Sequence, residues 1–184
     1  MKKLLICALA FAGLQFNANA QSYDGQGDSK IFLGYANVGG KSGVQVQFDY
    51  GLSDLVSYGM DVTILIKPDD RESTDSFDDS FKAFDSFDLG GFLRFHFSEP
   101  LSLSEKIDPY LGLDVSLRSI GGHAGIKYNF SEIIGVYVMY KHSFSSSITG
   151  DHKIVAETYD AFDDNVNFFG KVGTISGGVT INIF

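Results

Sequence analysis

Apolar and polar residues alternate one by one along much of this chain. Across residues 43–51, Val44, Val46, Phe48 and Tyr50 are apolar, and Gln45, Gln47 and Asp49 between them are polar. Successive side chains of a β-strand point to opposite faces, so this period of two predicts a strand with one apolar and one wet face. Residues 56–67 repeat it, with Val56, Tyr58, Met60, Val62, Ile64 and Ile66 against Ser57, Gly59, Asp61, Thr63 and Lys67. The pattern returns at 87–97, 110–118, 123–130 and 171–184, and more loosely at 30–37 and 135–144. Eight strands are expected, with no amphipathic helix of useful length between them. Gly121-Gly122 reads as a turn and Gly177-Gly178 as a strand kink.

The connections differ in kind. "GLSD" at 51–54 and "NFSEIIG" at 129–135 are tight, whereas 68–86 and 145–168 are long and polar. Strands of about ten residues, with short turns at one end and longer loops at the other, are the signature of a membrane barrel. With the N-terminus on the periplasmic side, the loops after the first, third, fifth and seventh strands face outward. Both long loops belong to that set.

Which face looks inward depends on the solvent. A soluble sheet buries its apolar face, and a membrane barrel turns that face to lipid. The N-terminus decides the compartment. Lys2 and Lys3 precede an apolar run from Leu4 to Leu14, and Ala18-Asn19-Ala20 forms an A-x-A cleavage site. This is a secretory signal peptide, residues 1–20, expected to be removed to leave a barrel domain over 21–184. Cys7, the only cysteine, leaves with it, so the mature chain has no disulfide. Loss of Lys2 and Lys3 makes the chain more acidic than its formal net charge of −9, which argues against nucleic acid as a partner. No later stretch approaches the roughly 20 apolar residues a spanning helix needs.

The polar face is rich in Gly, Ser, Thr, Gln and Asn, with single charges of mixed sign at Lys30, Asp49, Asp61, Lys67, Asp88, Arg94, Asp114, Arg118, Lys127 and Lys141. Unpaired buried charge is costly, so an enclosed lumen requires these to neutralise one another. Aromatic residues cluster at strand ends: Tyr50, Tyr58, Phe97, Phe130 and Phe184 at one end, and Tyr35, Phe87, Phe144 and Phe169 at the other. Two such girdles suit the two interfaces of a bilayer.

The signal peptide, the repeated alternation, the "YGLSDLVSYG" turn and the terminal Phe184 resemble the small eight-stranded outer-membrane barrels of the OmpA/OmpX size class, most closely their poorly characterised families. The fold expected is all-β, an eight-stranded antiparallel up-and-down transmembrane β-barrel in a Gram-negative outer membrane. The resemblance implies that the barrel-assembly machinery reads the last strand through Phe184. Asn182 departs from the apolar residue common at that position.

Candidate chemistry is sparse. A lumen charge network of Asp61, Arg94, His96, Asp114, Arg118 and Lys127 is expected, with His123 near it. The acidic loop 68–86, which runs into "DSFDDSFKAFDSFD" at 75–88, offers Asp69, Asp70, Asp75, Asp78 and Asp79 as hard oxygen ligands for a divalent cation. EF-hand spacing is missing, and a solvated acidic hairpin explains the same residues. Divalent bridges from it to lipopolysaccharide phosphates are a third reading. "YDAFDD" at 159–164 has a similar composition. "YKHSFSSS" at 140–147 invites comparison with barrels that modify lipid A, but Ser143 points away from His142. No P-loop, zinc pattern or dinucleotide motif is present, so no cofactor and no enzyme activity are expected. The expectation is a monomer in contact with outer-membrane lipid and lipopolysaccharide, structural or surface-interacting in role. The alternatives are a narrow channel, a lipid A-modifying enzyme or a soluble periplasmic ligand-binding barrel. No apolar lumen patch is apparent for a hydrophobic ligand.

Overall fold

The structure, a computed structural model, describes residues 21–66, 87–117, 119–146 and 173–183. Eight antiparallel strands run β1 (Ser29–Val38), β2 (Lys41–Gly51), β3 (Val56–Leu65), β4 (Phe87–His96), β5 (Ile107–Ser116), β6 (Ser119–Asn129), β7 (Ile134–Ser146) and β8 (Thr174–Ile183). Each pairs with the next, and β8 returns to β1 to close a barrel. Among the described residues no helix is long and apolar enough to cross a membrane.

The two faces separate as the alternation requires. On β2, Val44, Val46, Phe48 and Tyr50 face outward, while Gln45, Gln47 and Asp49 are buried in the lumen. The same inversion runs round the ring. Outward residues include Leu33, Met60, Leu93, Leu113, Ile126, Val138 and Val179, whereas Lys30, Asp61, Asp88, Arg94, Asp114, Lys127 and Lys141 are buried. Lys67 and Arg118 lie outside the described residues.

Strand ends define two ends of the barrel. The end where β1 begins carries the connections 52–55, 97–106 and 130–133; the opposite end carries 39–40, 66–86, 117–118 and 147–173. Both long connections therefore share an end, as expected, but length does not sort cleanly. That end also holds two two-residue turns, and ten residues join β4 to β5 at the other. Gly39 and Gly40 both have positive φ, 53° and 91°, the backbone of the tight hairpin turn whose twist matches its strands.

Several boundaries differ from the sequence reading, and three of the differences bear on the site. β5 begins at Ile107, before Pro109, instead of at Tyr110. β7 continues to Ser146, into the stretch expected to be loop. Gly121 and Gly122 are not a turn: they continue β6 past a register shift between Ile120 and Gly121. There Gly121 pairs with Ser143 and Ile120 with Ser145, so Phe144 is the extra residue of a β-bulge in β7. The girdle positions fall at the expected ends. Tyr50 pairs with Tyr58, their rings edge to face at 5.7 Å, and Tyr35 and Phe144 are exposed at the opposite end. Phe169 and Phe184 lie outside the described residues, as does the segment 1–20.

Residues ahead of β1 fold across the near end. Ser22 donates its N–H to the Glu105 carbonyl at 2.7 Å, and Asn129 donates to the Gln21 carbonyl at 2.9 Å. The Tyr23 hydroxyl meets the carbonyls of Ser53 and Val56 at 2.6 and 2.7 Å. Its ring stacks on His96 at 3.6 Å and 8°. Burial pushes the Tyr23 phenol well above its ordinary range, so it stays a neutral donor.

Closure of the ring depends on close backbone approach at the β1–β8 seam. A Cβ at Gly178 would run into the Leu33 carbonyl and the Gly34 Cα, which are main-chain atoms that cannot swing aside. Gly178→Val is expected to lower stability by about 1–3 kcal/mol through overpacking. A urea titration of the refolded protein, followed by the shift between folded and boiled bands on a gel, checks it; an unchanged midpoint contradicts the seam geometry.

Candidate functional site

An eight-stranded barrel leaves an interior just wide enough for side chains to fill. Here they form a polar column, with Arg94 of β4 at its centre and fully buried. Its Nη1 donates to Asp49 Oδ2 at 2.6 Å, its Nη2 to Gln47 Oε1 at 2.9 Å and its Nε to His123 Nε2 at 3.1 Å. All three partners sit two strands away, on β2 and β6, so one side chain ties β2, β4 and β6 together.

A guanidinium keeps its proton and only donates. His123 Nε2 must therefore accept, which assigns the ring proton to Nδ1. From there it is donated to Asp114 Oδ2 at 2.9 Å. The same logic orients the amides. Gln47 turns its oxygen to Arg94, so its Nε2 donates to Gln45 Oε1 at 2.9 Å. Gln45 Nε2 then donates to Thr63 Oγ1 at 3.2 Å.

Toward the near end stands a second cluster. His96 places Nδ1 2.6 Å from Asp108 Oδ2 and Nε2 2.8 Å from Ser57 Oγ. Lys127 Nζ lies 3.0 Å from the same Asp108 oxygen, an ion contact without well-directed hydrogen-bond geometry. Lys30 reaches Asp28 at 2.7 Å and Asn182 at 3.0 Å. Toward the far end, Lys141 lies 3.3 Å from Asp61 and 3.6 Å from Asp114.

Aromatic rings separate the cations. The Arg94 guanidinium carbon lies 4.3, 4.4 and 5.0 Å from the ring centres of Tyr110, Phe92 and Phe32. Lys127 lies 5.4 Å from Tyr23 and 5.8 Å from both Phe32 and Tyr110. Phe32 and Tyr110 thus serve both charges, and their faces supply attraction that a plain hydrocarbon wall would not.

Of the expected network, Asp61, Arg94, His96, Asp114 and Lys127 all line the lumen. They divide into connected groups: Arg94 reaches Asp114 through His123, and Asp114 reaches Asp61 through Lys141, while His96 and Lys127 meet on Asp108. Arg118 lies outside the described residues, as do Asp69, Asp70, Asp75, Asp78 and Asp79. Among the described residues no cluster of three or more His, Cys, Asp or Glu is placed to hold a metal. Asp108 was missed because the strand was begun three residues late. Its parity with Tyr110 and Asp114 was the available signal. The expectation of no apolar lumen patch is corrected by Phe32, Tyr110, Tyr137 and Met139, which form a buried cluster inside the barrel. Hydrophobicity alone assigns such rings outward; only their phase relative to Lys30, Asp108 and Lys141 turns them in.

Removing Arg94 strands Asp49 without its main counter-charge. Arg94→Met is expected to cost about 3–5 kcal/mol, the range for a broken buried ion pair. Adding Asp49→Asn should recover part of that loss, since no uncompensated charge then remains. Urea unfolding of both variants in detergent tests the coupling, and strictly additive effects would refute it.

No curated protein and no solved structure matches this chain. A family described as of unknown function, DUF6646, matches residues 13–176. The chain, an eight-stranded antiparallel closed barrel, belongs to that family of unknown function, DUF6646.

Proposed function

We propose that this protein is a non-enzymatic, integral outer-membrane β-barrel with a structural or surface-interaction role. The observation that carries the reading is inverted polarity. A predominantly apolar wall faces out on all eight strands, and the ion pairs face in. Soluble proteins rarely expose apolar patches beyond a few hundred Å². A bilayer removes that cost and requires what a closed ring supplies, every backbone group paired with no open edge. Seven of the eight described strands have 10 or 11 residues, within the roughly 9–11 that span a bilayer, and β7 runs to 13. The apparent signal peptide directs the chain to the right compartment.

In this orientation the N-terminal segment caps the periplasmic end, and the acidic connections 66–86 and 147–173 leave from the outer end. Cation or lipopolysaccharide contact, adhesion and envelope integrity are the roles such connections suit. The filled column favours these over a channel. His142 and Ser143 point to opposite faces, which counts against lipid A chemistry there. Ser57, His96 and Asp108 share the donor order of a hydrolase triad. However, Ser57 and Asp108 are completely buried and Tyr23 lies flat on the imidazole, an arrangement suited to holding the N-terminal cap.

Heat-modifiable migration after refolding, with outer-membrane fractionation of the native protein, tests the reading; a soluble protein with no band shift overturns it. Val62, mid-strand on the outer face of β3, provides a sharper measurement. Val62→Arg is expected to cost about 2–4 kcal/mol in a lipid folding titration if this wall meets hydrocarbon. In planar bilayers the wild type is expected to give no discrete conductance steps, and regular steps would favour the channel instead.

A further inference from the structure

One place on the outer wall breaks its apolar rule. Tyrosines aside, His142 is the only ionisable side chain on the outward face of the described strands, and it is exposed. It stands on β7 between Tyr140 and Phe144. The Tyr140 ring stacks on it at 6.1 Å and 20°, and Phe144 meets it edge-on at 5.9 Å. The Tyr140 hydroxyl lies 3.3 Å from His142 Nδ1. When Tyr140 donates, the ring proton sits on Nε2 as a donor for another group.

The surface beside this pair is concave. Ala124, Ile126, Val138, Tyr140 and Ile175 border a shallow groove of about 510 Å³ on the outer wall. It exists where β6 presents the small Ala124 beside the taller Val138 and Tyr140 of β7, and it stops short of Gly122, which the Phe144 ring covers. Gly122 pairs with His142, and Ala124 with Tyr140. The β-bulge at Phe144 follows immediately, a device that re-aims neighbouring side chains.

We propose that this groove and the Tyr140–His142 pair form a binding site for one phosphorylated lipid of the outer leaflet. An acyl chain lies along Ala124, Ile126 and Val138, and a headgroup phosphate accepts from His142. The inference rests on the membrane reading above. The two halves of the site fit one ligand: the groove is apolar and belongs to the wall, and its polar pair lies toward the barrel end from which residues 66–86 and 147–173 leave. That is where a headgroup meets water in the proposed orientation. A cationic or donor side chain in an interfacial aromatic belt suits an anion with an attached tail.

The test uses the full mature chain refolded in detergent micelles, with purified phosphorylated lipid A as probe and native mass spectrometry as readout. One lipid retained per barrel is expected. His142→Leu, which leaves no donor, is expected to lower retention about tenfold, the weight of one charge-assisted contact, and Ala124→Leu, which fills the groove, is expected to lower it as well. Leu113→Ala on a different part of the wall should leave retention unchanged. Both test variants must first show the wild-type gel shift; if either fails to fold, Tyr140→Phe replaces the His142 variant and Ala124→Val the groove variant. Equal retention of dephosphorylated lipid A, displacement by an equal concentration of inorganic phosphate, or wild-type retention by the variants each overturns the site. Failure of the wild type to insert into vesicles overturns the membrane reading itself, whereas insertion without lipid retention overturns only this inference.

Discussion

Burying a guanidinium that never gives up its proton is a costly step in building this lumen, and the side chains around it are placed to offset it. Desolvating such a charge costs several kcal/mol even after relaxation. Arg94 recovers this with a carboxylate, an amide oxygen, an imidazole nitrogen and three ring faces. Because it only donates, each partner is forced to accept, and each acceptor passes a defined orientation to the next strand. Hydrogen-bond direction is therefore fixed from Arg94 to Asp114 on one side and to Thr63 on the other. A neutral residue at position 94 would leave those orientations undetermined.

Two solvents act on the two faces of the same sheet. Inside, polar groups have no bulk water and must satisfy one another, so the lumen needs matched charge and directed donors. Outside, aliphatic side chains need no partner under the proposed bilayer, only uniformity. That difference explains why the lumen is chemically varied while the wall is repetitive. It also explains why a single imidazole on the wall stands out where a buried lysine in the lumen does not.

Much of this was legible in the chain because the side-chain period of a strand is two and a slip of one residue would exchange the faces. Lys30, Asp49, Asp61, Arg94 and Lys127 could be assigned to one face from parity alone. Pro109 hid the start of β5: proline donates no backbone hydrogen bond and is uncommon inside strands. Phe32 and Tyr137 were hidden for another reason. A ring can face lipid or cover a cation, and its own character does not distinguish the two. The pairing of charges was beyond reach, since who meets whom depends on barrel stagger, which no local pattern encodes. The bulge at Phe144 was likewise invisible because it is a feature of the register between β6 and β7, not of either strand alone.

The cap across the near end has a consequence for the order of events in assembly. Gln21, Ser22 and Tyr23 are anchored to Asn129, to Glu105, and to Ser53 and Val56. Those anchors belong to three separate hairpin regions, up to 108 residues away along the chain. Closing contacts so distant in sequence carries a large entropic cost until the strands between them have paired. All the anchors are met at once only when the β2–β3, β4–β5 and β6–β7 corners stand at their final spacing. The segment works as a latch that closes on a finished ring.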